Sequence, residues 1–331
     1  MNYFKSFSEK INSGKIGDFT TTALELFRFQ SRNNKIYREY IKARQVKPEN
    51  VNRIEDIPFL PISFFKSDKI VSGPEDQFDQ YYSSSGTTGQ QQSRHYIWSK
   101  EFYLSHAQRL FEAVYGSLQD FHVLALLPSY MEREGSSLVD MAAFFIDKSR
   151  SAHSGFYLNE HEALLEKISL LKSGRRKVLL IGVTFALLDL AEKLSGQLDC
   201  SHLIIMETGG MKGRRREMIR EEVHETLKKA FCLENIHSEY GMTELMSQAY
   251  SPGEGKFWET PSLRVLIRDA YDPFHMVNDR SGVINIIDLA NVHSCAFIET
   301  QDLGRKNPDG SFSVLGRMDN SEIRGCNLMI N

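Results

Sequence analysis

The stretch KVLLIGVTFALLDLAEKLSG, Lys177 to Gly196, decides the fold. Its first seven residues are an apolar run with no polar alternation, which reads as a strand buried on both faces. FALLDLAEKLSG then spaces its apolar residues as a helix does. The same pairing recurs on both sides. Upstream, FHVLALLP (121–128) is a short apolar strand and HEALLEKISLLKSGRR (161–176) an amphipathic helix. Downstream, SHLIIMETGG (201–210) is a strand ending in glycines, RRREMIREEVHETLKKAF (214–231) a long charged helix, and NIHSEYG (235–241) a strand entering a turn. Strands alternating with helices predict an α/β fold, a mostly parallel sheet with helices on its faces.

Outside this region the texture changes. Residues 1 to about 50 read as helical, from the spacing in TTALELFRFQ (21–30) and KIYREYIKAR (35–44). IEDIPFLPISFFKS (54–67) is apolar and broken by prolines, an extended approach to the core. After Gly241, LRVLIRD, SGVINIIDL, CAFIET and GSFSVLG are short strands separated by polar turns, a β-rich part packed on the α/β part. No internal repeat or low-complexity linker interrupts the chain.

At 331 residues the chain is long for one ordinary core, so one large or two smaller domains are expected. Apolar residues at 41% and charged residues at 25% fit a soluble globular protein. A net charge of -3 supplies no basic field for nucleic acid or anionic membrane. No run of about 18 apolar residues is present, which argues against a membrane span. The start, MNYFKSFSEKINSGK, has no apolar signal core, so a cytoplasmic location is expected. Cys200, Cys232, Cys295 and Cys326 are widely spaced, with no CxxC pair and no histidine cluster beside them. That spacing predicts neither a zinc site nor a disulfide framework, and each reads first as a small buried hydrophobe.

In open α/β sheets, ligands sit at the carboxyl ends of the strands. Three motifs fall there: SSSGTTG (83–89), ETGGMKG (207–213) and EYGMTE (239–244). In the first, glycines let backbone approach a phosphate and the hydroxyls add donors. It is not the GxxxxGK[ST] loop, because Gln90, Gln91 and Gln92 follow Gly89 where a lysine is needed. Gly209 and Gly210 leave room for a flat group beside the backbone. In the third motif Thr243 can hold a phosphate, Glu244 a magnesium ion and Tyr240 a base face. The structural alternative is a helix start with Thr243 as its N-cap.

These motifs, with TQDLG (300–304) and GRMDNSEIRG (316–325), follow the order seen in the adenylate-forming enzymes. The chain resembles that superfamily of acyl-CoA synthetases, luciferases and peptide-synthetase adenylation domains over residues 80 to 326. The resemblance implies the large N-terminal domain of that fold and the cofactors ATP and Mg2+. It places Ser84, Ser85, Thr87 and Thr88 on the phosphates, Gly209, Gly210 and Met211 at the adenine, and Tyr240 against the base. Thr243 falls on the phosphate, Glu244 on the magnesium, Asp302 on the ribose hydroxyls, and Arg317 assists there.

Two departures stand out. The superfamily has Pro-x-Lys-Gly after the glycine loop, where this chain has glutamines. It also has a small lid domain after the GR motif, and this sequence stops soon after Arg317, so no lid and no lid lysine are expected. Arg94, Lys212 and Arg214 are candidates for the missing positive charge. The ending RGCN is similar to that of acyl-protein synthetases of the LuxE type, which hold an acyl group on a cysteine near the C-terminus. Cys326 occupies the matching place, with Arg324 near enough to favour its thiolate. The expected organisation is a single domain, 1–331. It comprises a helical region to about 60, an α/β nucleotide-binding part over about 70–245, and a β-rich part with a short tail over about 246–331.

The function this implies is ATP-dependent activation of a fatty or other carboxylic acid as acyl-AMP. The acyl group then passes to Cys326 as a thioester and on to an acceptor protein, a reductase or a carrier. Two alternatives differ in class. One is a CoA ligase- or acyltransferase-like enzyme with an external acceptor, the other a nucleotide-binding scaffold without catalysis. Scattered histidines read as structural, His95 and His106 among them; His237 lies just before the third motif. Tyr130 and Ser136 are candidates for the border of an acyl pocket.

Overall fold

The computed structural model describes residues 2–84, 91–128, 135–194, 202–209, 218–272 and 274–318. Helices α1 (Asn2–Asn12), α2 (Phe19–Asn33) and α3 (Lys35–Ala43) open the chain. Asp18 caps α2 by accepting from the Thr21 amide at 2.8 Å. Asn34 separates α2 from α3 in extended backbone and caps α3 by accepting from the Tyr37 amide at 3.0 Å. The Pro-broken segment supplies the short strand β1 (Leu60–Pro61) and the single-turn helix α4 (Phe64–Ser67). A hairpin follows, β2 (Tyr81–Ser83) and β3 (Arg94–Tyr96), and then α5 (Lys100–Tyr115).

The core is β4 (Phe121–Leu126), α6 (Ser137–Ser149), β5 (Gly155–Tyr157), α7 (His161–Leu171), β6 (Lys177–Val183), α8 (Thr184–Lys193), β7 (Leu203–Thr208), α9 (Arg220–Phe231), β8 (His237–Tyr240) and β9 (Ala249–Ser251). Its sheet runs β5-β4-β6-β7-β8-β9, parallel except for β9 against β8. Every residue of β4 is buried, and so is β6 from Val178 on. That matches the unbroken apolar runs, because a strand between two helical layers has no wet face.

The second sheet holds β10 (Lys256–Phe257), β11 (Leu263–Arg268), β12 (Gly282–Asp288), β13 (Phe297–Lys306) and β14 (Phe312–Arg317). It is antiparallel in the order β10-β14-β13-β12-β11, with β1 added in parallel on β13. Phe297 of β13 packs on Phe27 and Tyr37, with ring centroids 5.9 and 6.1 Å away, and so fastens the first helices to this sheet. A buried aromatic of this kind contributes roughly 1.5–3 kcal/mol by its removal from water.

Three sequence expectations need correction. The charged helix begins at Arg220, and Met218 and Ile219 precede it in non-helical backbone. Ile219 stands at the N-cap with no side-chain cap bond, and Arg220 is drawn to Glu207, its Nε 3.0 Å from Oε1. The alternative of a helix start at Thr243 is not formed, since 241–248 is irregular backbone with a turn at 243–244. The reason is local: side chains from elsewhere take the carbonyls and amides that a helix there would need. Cys232 is exposed at the end of α9, at φ 51°, whereas Cys295 is fully buried as expected.

Candidate active site

The base of the hydroxyl-rich loop is a tight closure between Ser84 and Ser93. The Ser84 amide donates to the Ser93 carbonyl at 3.1 Å, and the Ser93 amide donates to Ser84 Oγ at 2.9 Å. Ser84 therefore spends acceptor capacity on closing the loop. Ser85, Thr87 and Thr88 lie outside the described residues, as do Gly210, Met211, Lys212, Arg214, Tyr130 and Cys326. Arg94 is exposed, its guanidinium 5.4 Å from the Tyr81 ring centre.

Gly209 ends the segment after β7 at φ 75°, a left-handed conformation that a side chain disfavours. The Thr184 hydroxyl lies 3.0 Å from its carbonyl and 3.1 Å from Glu207 Oε2, which fastens the start of α8 to the end of β7. Burial alone raises the Glu207 carboxyl. Arg220, with help from His224 and Ser238, outweighs that and holds it down at about 2. On the neighbouring strand burial acts with less opposition. It pushes the Glu239 carboxyl up to about 7, against the Thr208 hydrogen bond and with the help of the Glu207 charge.

The third motif lies where the two sheets meet. Tyr240, at the end of β8, is buried between Phe257 and Phe312, both edge-on to it at 5.8 and 5.9 Å. Its hydroxyl donates to Asp302 Oδ2 at 2.8 Å. Asp302 stands on β13 opposite Arg317 of β14, whose Nε is 3.9 Å from Oδ1. Burial raises the Asp302 carboxyl, and Tyr240, Arg317 and Arg220 oppose it. Glu244 is buried and likewise raised; the Ser93 hydrogen bond and the Arg317 charge oppose. Gly241 has no room for a side chain, because a Cβ there would fall 2.3 Å from Glu239 Oε1.

The structure thus gathers Tyr240, Thr243, Glu244, Asp302 and Arg317 at one junction. Among the described residues no group of three or more His, Cys, Asp or Glu side chains could hold a metal. Glu244 alone suits magnesium, which commonly takes one or two carboxylates and completes its shell with phosphate and water. His237 is not part of the junction: its Nδ1 is 3.2 Å from the Tyr115 hydroxyl, and burial lowers its pKa to about 4. Burial pushes the Cys295 thiol up to about 12, which leaves it inert.

Sequence reasoning missed the residues that hold the junction: His95, Asn291 and Asp288. His95 and Asn291 meet the third motif across 148 and 47 positions of chain, and Asp288 meets Met246 and Ser247 just after it across 42 and 41. A single sequence carries no signal for such pairings, although His95 does lie directly after the hydroxyl loop.

Comparison with known proteins gives the family and the fold. Residues 9–331 match the family described as acyl-protein synthetase, LuxE. The long-chain-fatty-acid–luciferin-component ligase of Vibrio harveyi is 22% identical over 92% of this chain and 85% of its own length. The Photorhabdus luminescens protein of the same name is 35% identical over 66 residues, 20% of this chain. The chain spans 56% of that relative's length. Among solved structures, 2-hydroxyisobutyryl-CoA ligase in complex with 2-HIB-AMP and CoA superposes with a TM-score of 0.64 at 13% identity. That match covers 91% of this chain and 70% of the ligase chain. The fold is that of the adenylate-forming enzymes, and the chain belongs to the acyl-protein synthetase (LuxE) family.

Proposed function

We propose that this protein uses ATP to activate a carboxylic acid, a long-chain fatty acid first among candidates, and carries the product acyl group on Cys326. The observation that carries the reading is the junction itself. Two separate sheets deliver Tyr240 and Asp302 within hydrogen-bond distance, beside Thr243, Glu244 and Arg317. The family match over residues 9–331 and the names of the two relatives support the acid and the ligase chemistry.

In the first step the carboxylate oxygen attacks the α-phosphorus of ATP, the bond to pyrophosphate breaks, and acyl-AMP forms. Asp302 binds the ribose hydroxyls, with Tyr240 holding its carboxylate in place. Thr243 and the hydroxyls of Ser84, Ser85, Thr87 and Thr88 bind the phosphates, and Gly209, Gly210 and Met211 border the adenine. Glu244 would hold magnesium, which when bound would neutralise charge on the leaving pyrophosphate. Arg317 adds fixed positive charge near the ribose. In the second step the Cys326 thiolate attacks the acyl carbonyl carbon, a C–S bond forms, and the C–O bond to AMP breaks. The thioester then passes its acyl group to an acceptor protein, a reductase or a carrier.

The test is acid-dependent exchange of labelled pyrophosphate into ATP, with a panel of fatty and aryl acids. Exchange in wild type that falls sharply in Asp302→Ala and Glu244→Ala supports the reading. Absence of exchange with every acid contradicts it.

A further inference from the structure

The turn that carries Thr243 and Glu244 has little regular structure of its own, yet four of its backbone groups are held by side chains from distant parts of the chain. His95 Nδ1 is 2.8 Å from the Thr243 carbonyl, and Asn291 Nδ2 donates to the Glu244 carbonyl at 2.8 Å. The Asp288 carboxylate accepts from the amides of Met246 at 2.7 Å and Ser247 at 3.0 Å. His95 Nε2 lies 2.8 Å from Asn291 Oδ1, so His95 and Asn291 form one unit.

That unit is anchored from behind. Gln30 of α2 donates to the carbonyls of Asn291 at 2.9 Å and Val292 at 3.1 Å, and accepts from the Ala296 amide at 2.9 Å. The His95 ring stacks on His293, with centroids 5.5 Å apart, and meets Phe65 edge-on at 5.8 Å. The ring has no exposed surface. The Thr243 carbonyl and Asn291 Oδ1 both accept only, so a neutral ring donates to one of them at a time, to the Thr243 carbonyl when Nδ1 carries the proton.

The hairpin gives this contact its consequence. Ser93 and His95 are two residues apart in extended backbone and fall on one face, both buried, while Arg94 between them is exposed. Ser93 closes the base of the loop through Ser84 and also helps to hold down the pKa of the Glu244 carboxyl. One short strand therefore touches both flanks of the candidate phosphate site.

We infer that His95 is a positioning residue: its Nδ1–H bond to the Thr243 carbonyl fixes the Thr243–Glu244 turn against the base of the hydroxyl-rich loop. The inference rests on the functional reading above, in which that turn meets the phosphates of ATP. A side chain that only fills space at this position has no need of a donor at Nδ1. A positioning residue does, because misplacing reactive groups by about 1 Å can cost about a hundredfold in rate.

The test uses the full chain and compares His95→Asn with His95→Gln. The Asn amide nitrogen takes the place of Nδ1, and the Gln amide nitrogen takes the place of Nε2. Acid-dependent pyrophosphate exchange is measured with kcat and KM for Mg-ATP and for the acid, alongside thermal melting. The expected result is that His95→Asn keeps kcat within about threefold and His95→Gln loses about ten- to a hundredfold, with KM for the acid unchanged in both. Equal kcat in the two folded variants, whether high or low, overturns the assignment. Should His95→Gln fail to fold, His95→Leu takes its place. That variant fills the site without a donor at Nδ1, so a similar loss of kcat is expected and an unchanged kcat overturns the assignment. Wild type inactive with every acid overturns the functional reading itself, and this inference with it; a wild type that exchanges isolates the role of His95.

Discussion

The Tyr240 hydroxyl donates to Asp302 Oδ2 at 2.8 Å, and this bond ties the end of a parallel strand in one sheet to the middle of an antiparallel strand in the other. It also holds a partly buried carboxylate in place. Tyr240→Phe removes the donor and leaves Asp302 with the more distant charges of Arg317 and Arg220. We expect a loss of about 1.5–3 kcal/mol in unfolding free energy, the usual range for a hydrogen bond to a charged group. The KM for ATP should rise at the same time. Urea unfolding and the exchange assay read the two effects separately, and a variant as stable as wild type would refute the first.

Arg220 and Glu207 make a second brace. The guanidinium bonds Glu207 through Nε and the Val314 carbonyl through Nη1, the latter at 2.9 Å, so it too joins β7 to β14. Arg220→Met leaves a buried carboxylate without its main partner, a loss of about 3 kcal/mol. Glu207→Gln added to Arg220→Met should recover part of that loss, and a double-mutant cycle measures it. A purely additive cycle would show that the pair is not coupled.

Much of the fold is legible in the sequence because its central strands are continuous apolar runs, as β4 and β6 show. The elements that escape do so for physical reasons. Helix α5 turns Tyr103 and His106 inward, polar side chains that blur its apolar stripe. Each is satisfied far along the chain, Tyr103 by the Ser137 carbonyl and His106 by Ser247 and Ser262. Strands β9 and β10, three and two residues long, are too short to show a period. Tyr240, Glu244 and Asp302 stand in recognisable motifs, so their junction is legible. The His95–Asn291 support is not, since the two residues are 196 positions apart and meet only in the fold.

Glu239 gives a pH dependence of defined sign. Burial pushes its carboxyl from about 4.5 when unfolded to about 7 when folded. The folded protein therefore holds the extra proton between those values, and stability falls as pH rises through that window. Wild type should lose a few kcal/mol relative to Glu239→Gln between about pH 5 and pH 8. Chemical denaturation of both proteins at the two pH values tests this; a constant difference between them would contradict it.

Gly241 makes the same carboxyl sensitive to crowding. Gly241→Ala sets a methyl against Glu239 Oε1, while Thr208 holds the other oxygen of that carboxyl. Either the Thr208 bond or the turn must give way. We expect a loss of about 1–3 kcal/mol and a lower exchange rate, because the turn leads directly to Thr243. Full stability and full exchange in this variant would show that the site relaxes freely.

The most direct measurement is the intact mass of wild type and Cys326→Ser after incubation with Mg-ATP and a long-chain fatty acid. The account predicts a gain of one acyl group in wild type, removed by hydroxylamine and absent from Cys326→Ser. An adduct that persists in Cys326→Ser, or AMP release with no adduct on wild type, would contradict the thioester.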